Sequence, residues 1–170
     1  MLFDLNLLFW HSGTGEQLTS GEYVNLAGLT AGSASSVINL GNARDLGIGN
    51  GPDTPMVALS VGTAITSSCQ STLLNFQFQG STNSVLWTTY AESGAASTAS
   101  YVAGAQPLPI NVPRRPTGVG LPLYYRINLA QTGNAVAETI STGSIIGGIV
   151  LARADSPDTL GLYPSGFQVS

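Results

Sequence analysis

Few residues of this chain have the chemistry needed for nucleophilic or acid–base catalysis. His11 is the single histidine, and it lies beside Ser12 in the glycine-rich stretch WHSGTG. A serine nucleophile needs a histidine held against its hydroxyl, whereas neighbouring side chains of an extended segment point in opposite directions. The chain also contains no lysine, which removes the lysine-dependent alternatives. The sequence therefore predicts a protein that is not an enzyme.

Paired carboxylates are the one catalytic arrangement that the sequence leaves open. Four acidic residues lie far apart along the chain but could converge in space, as the two acids of a glycosidase do: Asp45, Asp53, Glu92 and Glu138. A structural zinc site cannot be assembled from one cysteine and one histidine. Cys69, the sole cysteine, is predicted to be a small buried apolar side chain. We expect neither a metal nor a cofactor.

Charged residues are scarce, and this scarcity points to contact with other proteins. They make up 8% of the 170 residues, with Lys and Arg totalling five and a net charge of −4. Amides and hydroxyls cost less to desolvate than ammonium or carboxylate groups, and protein interfaces are poor in Lys and Glu. We therefore expect neighbouring proteins to cover much of this surface. A low-charge soluble domain without such neighbours is the alternative.

Nucleic acid and membranes are not expected as partners. Nucleic-acid binding needs a row of Lys and Arg side chains, whereas only Arg114 and Arg115 are adjacent here. The apolar run at residues 144–152 is far shorter than the roughly 20 residues of a membrane helix. Residues 1–13 have no basic segment and include Asp4, which argues against a signal peptide. The sequence predicts a soluble chain.

Alternating apolar and polar residues predict short strands and no helix. In residues 73–79 the apolar side chains of Leu74, Phe76 and Phe78 share one face, and residues 84–90 follow after a GSTN turn as the second strand of a hairpin. Further strands are predicted at residues 37–40, 56–61, 108–112, 123–129, 137–142 and 144–152. About eight antiparallel strands predict a single all-β domain, a jelly roll or β-sandwich.

The two ends of the chain differ from its middle. We divide the chain into an amino-terminal arm and loop (residues 1–30), the jelly-roll domain (residues 31–153) and a carboxy-terminal tail (residues 154–170). Apolar residues near both ends could anchor extended arms on another subunit, or could equally pack on their own domain. For residues 123–129, we expect Tyr125, Ile127 and Leu129 to point inward and Tyr124, Arg126 and Asn128 outward.

Residues 37–61, VINLGNARDLGIGNGPDTPMVALSV, closely resemble a segment of the capsid cement, or decoration, proteins of tailed bacteriophages, of the short-tailed phage type. In that segment a strand ends in a Leu-Gly turn, continues through Ala-Arg-Asp and a glycine-rich stretch, and enters a second strand. The likeness extends to residues 73–93, 108–113, 124–129 and 143–152. Residues 11–29 and the tail after residue 153 depart from the family pattern.

The resemblance implies a jelly-roll protein that forms a homodimer or homotrimer on the outer surface of the virion head. Such a protein clamps neighbouring major capsid protein subunits, takes no cofactor and is made in the host bacterial cytoplasm. On this reading Asp45 accepts backbone N–H groups in its turn and Arg44 pairs with a carboxylate across a subunit boundary, although a solvated turn pair is the alternative. The candidate contact residues are Leu2, Phe3, Leu5, Leu8, Phe9, Trp10, Arg44, Asp45, Tyr163 and Phe167.

The alternative function is a virion-surface adhesin or fibre head that binds host glycans. It would stack sugar rings on exposed aromatic side chains, for which the candidates are Trp87, Tyr90, Tyr101, Tyr124 and Tyr125. Aromatic residues on strands more often belong to the core. The cement hypothesis predicts apolar arms and association with expanded heads, whereas the adhesin hypothesis predicts a concave aromatic patch and sugar-dependent thermal shifts.

Overall fold

The computed structural model describes residues 8–10, 24–25, 34–35, 37–46, 55–67, 73–108, 110–132 and 140–151. These residues contain one 3₁₀ turn (Thr98–Ser100), and none of them lies in an α-helix. Their strands are β1 (Leu8–Trp10), β2 (Val24–Asn25), β3 (Ile38–Asn39), β4 (Pro55–Ser67), β5 (Leu73–Ser81), β6 (Thr88–Glu92), β7 (Ala96–Ser97), β8 (Ile110–Asn111), β9 (Tyr124–Thr132) and β10 (Ile140–Leu151). The predicted all-β class is confirmed.

The strands form two antiparallel sheets. Sheet A has the order β1-β10-β4-β8, with β2 also paired to β10, and sheet B has the order β3-β9-β5-β6, with β7 also paired to β5. Apolar side chains of both sheets belong to one core cluster, so the architecture is a β-sandwich. The jelly-roll topology stays a prediction.

The core follows the alternation of the two central strands of sheet B. Leu74, Phe76 and Phe78 of β5 are fully buried, as are the three residues that β9 was predicted to turn inward. Phe78 stacks on Tyr125 of β9 with ring centroids 5.1 Å apart. Burying side chains of this size contributes about 1.5–3 kcal/mol each, and a one-residue slip would expose all of them. The predicted facing of both strands is confirmed.

The amino-terminal segment is part of sheet A. Leu8 pairs with Gly148 and Val24 pairs with Ile145, so β1 and β2 both lie along β10 inside the segment that was assigned to an arm. The side chain of Phe9 is fully buried and meets Phe78 edge-on, with ring centroids 6.0 Å apart. The assignment of Phe9 to an intersubunit contact is therefore corrected, because its own core leaves no surface for a neighbour.

Two predicted strand boundaries were wrong. The strands expected at residues 137–142 and 144–152 are joined in β10, because the register shifts around Gly143 without ending the pairing with β4; residues 137–139 and 152 lie outside the described residues. Gly143 has a φ of +142°, which a residue with a side chain rarely adopts. The strand expected at residues 84–90 instead begins at Thr88.

The register of sheet B brings three loops to one end. Tyr124, the first residue of β9, pairs with Asn39 near the end of β3 and with Ser81 at the end of β5, and Gly80 pairs with Thr88 at the start of β6. Loops L1 (residues 40–46), L2 (residues 82–87) and L3 (residues 112–123) all leave the sheet there. We call this region the loop end of sheet B.

Candidate functional site: the loop end of sheet B

The carboxylate of Asp45 joins loop L1 to loop L3. Its side chain is only 3% exposed, and its Oδ2 accepts a 3.2 Å hydrogen bond from the backbone N–H of Arg115 and lies 3.9 Å from the Arg115 Nε. The backbone N–H of Arg44 donates to the carbonyl of Pro122 at 3.0 Å. The backbone N–H of Arg115 that Asp45 accepts lies in loop L3, whereas the sequence predicted backbone N–H donors in the turn of Asp45 itself.

The guanidinium groups of Arg44 and Arg115 donate to backbone carbonyls of their own loops. Arg44 is exposed and donates through Nη2 to the carbonyl of Leu40 at 3.4 Å, whereas the Arg115 guanidinium donates to the carbonyl of Val119. Exposed ion pairs contribute little to stability, and Arg115 is 38% exposed. The pairing of Arg44 with a carboxylate of another subunit stays a prediction.

Loop L2 is held by a single asparagine side chain. The Oδ1 of Asn83 accepts the backbone N–H groups of Val85 and Leu86, each at 3.0 Å, and the hydroxyl of Ser81 at 3.2 Å. The Ser81 hydroxyl in turn accepts the backbone N–H of Asn83 at 3.2 Å. This arrangement fixes the loop backbone although two of its side chains make little contact with the protein.

Those two side chains are the most exposed large apolar groups of the described residues. Val85 is 73% exposed and Leu86 is 76% exposed. The following residue, Trp87, donates its indole N–H to the carbonyl of Ser84 at 3.2 Å, so the loop is closed on both sides of the pair. Loop L2 thus presents two adjacent apolar side chains to solvent on a hydrogen-bonded backbone.

A network of polar side chains covers the outer face of sheet B beside loop L2. The register pairs Gln77 with Asn128 and Gln79 with Arg126. Asn128 donates to the Gln77 Oε1 and Arg126 donates through Nε to the Gln79 Oε1, both at 2.9 Å. The guanidinium carbon of Arg126 lies 4.1 Å from the centroid of the Trp87 ring. Burial of the guanidinium lowers the pKa of Arg126. This network links β5, β9 and loop L2.

Sequence reasoning predicted the outward face of these strands but missed the network. The signal was present, because Asn75, Gln77 and Gln79 alternate with the apolar residues of β5 and Arg126 and Asn128 do the same in β9. What the pattern could not supply was the register that places one set opposite the other. Polar side chains directly opposite each other on paired strands are expected to form hydrogen bonds.

The two acidic residues of the described part of the chain belong to different networks. Asp45 binds loop L3, whereas the Oε2 of Glu92 accepts a 2.9 Å hydrogen bond from the amide of Asn75 in β5. Asp53 and Glu138 lie outside the described residues. The described carboxylates therefore have structural partners of their own.

The aromatic candidates for sugar binding divide between core and surface. Tyr101 and Tyr125 are buried, and the Tyr101 hydroxyl donates to the carbonyl of Leu74 at 3.0 Å. Tyr90 packs against the core, with its ring over Gly80, so that a Cβ on this glycine would lie only 2.7 Å from a ring carbon. Trp87 and Tyr124 are half-buried. Two of the five candidates for sugar binding, Tyr101 and Tyr125, are therefore core residues, as aromatic residues on strands more often are.

Among the described ranges no three His, Cys, Asp or Glu residues form a group that could hold a metal ion, and no helix is long and apolar enough to cross a membrane.

Several other predicted residues cannot be placed. Leu8 and Trp10 are described by their backbone alone. The residues outside the described ranges are Leu2, Phe3, Leu5, His11, Cys69, Tyr163 and Phe167.

Comparison with known proteins adds no family. No protein-family model and no curated protein matches the sequence.

Proposed function

We propose that this protein is a structural virion protein that binds the outside of a tailed-phage head and cements neighbouring major capsid protein subunits. The observation that carries the proposal is loop L2, which presents Val85 and Leu86 to solvent on a backbone fixed by Asn83. The resemblance of residues 37–61 to cement proteins supplies the biological setting. The low charge of the chain supports a surface that neighbouring proteins cover.

The mechanism is thermodynamic and requires no turnover. A protein that binds only the assembled shell stabilises it by RT ln(1 + [L]/Kd), where [L] is the concentration of free protein. If the protein is a homodimer or homotrimer, as the resemblance implies, several contacts act together and the effective concentration raises the total affinity. In this mechanism Asp45 keeps loops L1 and L3 together, so that the contact loops do not have to be ordered on binding.

The observations favour the glycan-binding adhesin less. Sugar rings stack on an open aromatic face, whereas Tyr101 and Tyr125 are buried and the guanidinium of Arg126 lies over Trp87. An adhesin also needs polar groups directed at the sugar. The amides of Gln77, Gln79 and Asn128 are already hydrogen-bonded to each other or to Arg126.

Sedimentation with undecorated heads tests the proposal. The full-length protein is mixed with expanded heads that lack it, the heads are pelleted, and the bound copies are counted against the major capsid protein. We expect saturation at a fixed ratio set by the icosahedral lattice. Heads that already carry the protein are the control and should take up no more. Protein that stays in the supernatant with bare heads would contradict the proposal.

A further inference from the structure

The apolar part of the loop end extends beyond loop L2. Leu121 of loop L3 is also exposed, and the residue before it, Gly120, packs so closely on Thr82 that an added Cβ would lie 2.9 Å from the Thr82 Cγ2. The backbone N–H of Leu123 donates to the carbonyl of Ser81 at 2.9 Å. Loops L2 and L3 therefore lie side by side, and both expose large aliphatic side chains.

Arginine residues lie on the loops beside this apolar area. The described residues contain four arginines, of which Arg44, Arg114 and Arg115 lie on loops L1 and L3 and Arg126 lies against Trp87 of loop L2. Two carboxylates of the same ranges offset part of this charge: Asp45 is buried beside Arg115, and Glu92 is exposed but pairs with Gln77, four residues before Ser81 at the loop end. The described residues of the loop end thus carry more positive than negative charge, although the whole chain carries a net charge of −4.

The loops are ordered before any partner binds. Asn83 fixes two backbone N–H groups of loop L2, Asp45 fixes loop L1 to loop L3, and Ser84 keeps a φ of +57° that non-glycine residues seldom adopt. Contact surfaces that are fixed in advance lose less entropy on binding. A strained residue beside two exposed aliphatic side chains is typical of a loop shaped for a contact.

From this combination we infer that the loop end of sheet B is the surface that contacts the capsid, and that its partner is a patch of the major capsid protein with an apolar recess bordered by acidic side chains. The aliphatic side chains of Val85, Leu86 and Leu121 fill the recess, and Arg44 and Arg114 face the acidic border. The inference rests on the proposed function and names the chemistry of its partner. Charge complementarity of this kind speeds association and fixes orientation.

Replacement of the exposed pair tests the apolar part. Val85→Ser combined with Leu86→Ser changes side chains that the fold does not bury, so the unfolding midpoint should stay unchanged. We expect the double variant to bind undecorated heads at least about tenfold more weakly in the sedimentation assay, as truncation of a central contact does. Val102→Ser is the matched control, because Val102 is 56% exposed and follows Tyr101, which bonds to the opposite end of β5.

Reversal of one charge tests the basic border. Arg114 is exposed, and Arg114→Glu should slow association with the heads at low salt. The difference from the unchanged protein should shrink as salt is raised, because screening weakens exposed charge interactions. If Arg114→Glu associates with the heads at the same rate as the unchanged protein at low salt, the inferred acidic border of the partner is wrong.

The outcomes separate the inference from the function on which it rests. If the unchanged protein binds heads and the double variant binds equally well, the loop end is not the contact, and the cement function survives without it. If the double variant loses self-association but keeps head binding, the loop end joins two copies of this chain, which also overturns the inference. If the unchanged protein does not bind heads, both the function and the inference fail.

Discussion

The hydroxyl groups of Tyr90 and Tyr125 lie buried behind the loop end. Neither of them makes a hydrogen bond of ordinary geometry within the described residues. Burial raises the pKa of both phenols, and more strongly that of Tyr125. At Tyr125 the backbone of Leu46 partly offsets this rise, whereas Tyr90 and the carboxylate of Asp45 add to it. The neutral phenols are tolerated in the core, but their ionised forms are not.

Alkaline unfolding tests this account of Tyr125. Below pH 10, the ordinary tyrosine pKa, both states of the protein keep the phenol proton; above it the unfolded chain loses the proton first, so stability falls as the pH rises. Tyr125→Phe removes this contribution. The variant should have an unchanged or higher free energy of unfolding at pH 7 and a shallower loss above pH 10, measured by urea unfolding. Tyr124→Phe, on the other face of β9, is the control, and an equally steep loss in Tyr125→Phe would contradict the assignment.

The structural role of Asp45 could be predicted from its residue type and position, but its partner could not. An aspartate in a glycine-rich turn accepts backbone N–H groups, and this much the sequence indicates. One donor is the backbone N–H of Arg115, in a loop that meets L1 only after sheet B has formed. Sequence spacing carries no information about that meeting, because it depends on the pairing of Tyr124 with both Asn39 and Ser81.

At the level of secondary-structure elements, loop L2 shows why a strand boundary was misplaced. Val85 is β-branched and Trp87 is aromatic, and both types are enriched in strands, so the sequence predicts that the second strand of the hairpin begins at residue 84. The side chain of Asn83 accepts two of the backbone N–H groups that a strand would need, and β6 starts only at Thr88. Local side-chain hydrogen bonds compete with strand pairing in this way.

Asn83→Ala tests whether one side chain fixes this loop. The variant leaves the backbone N–H groups of Val85 and Leu86 without their acceptor, so their hydrogen exchange should become faster. The global unfolding midpoint should change little, since the loop contributes few core contacts. Asn42→Ala, an exposed asparagine of loop L1, is the control. Unchanged exchange at both amides would show that the loop is held by other contacts.

Strand β10 was predicted as two strands for a different physical reason. Its alternation changes phase at Gly143, where the pairing register with β4 shifts, and two strands were predicted in place of one. Further along, Gly147 packs so closely on Leu59 that any Cβ would overlap with the leucine side chain. A bulge inserts a residue without ending the pairing, so a pattern that assumes a strict period of two cannot tell it from a turn.

For the molecule as a whole, alternation and turn residues were enough to predict an all-β sandwich. Apolar faces recur along the chain with a period of two, and burial of these faces against each other leaves two packed sheets as the simplest solution. The pairing of β1 and β2 with β10 was not predictable, because strands of three and two residues are too short to show an alternating pattern of their own. The contact candidates consequently shift from Phe9 towards the loop end.

The stability of DNA-filled heads tests the central claim most directly, because a cement protein must strengthen the shell as well as bind it. The measurement is the temperature at which heads release their DNA, recorded for bare heads, for heads saturated with this protein, and for heads mixed with the Val85→Ser, Leu86→Ser variant. We predict that the release temperature rises as the unchanged protein occupies the heads, whereas the variant raises it less at equal concentration. Fully occupied heads that release DNA at the same temperature as bare heads would contradict the account.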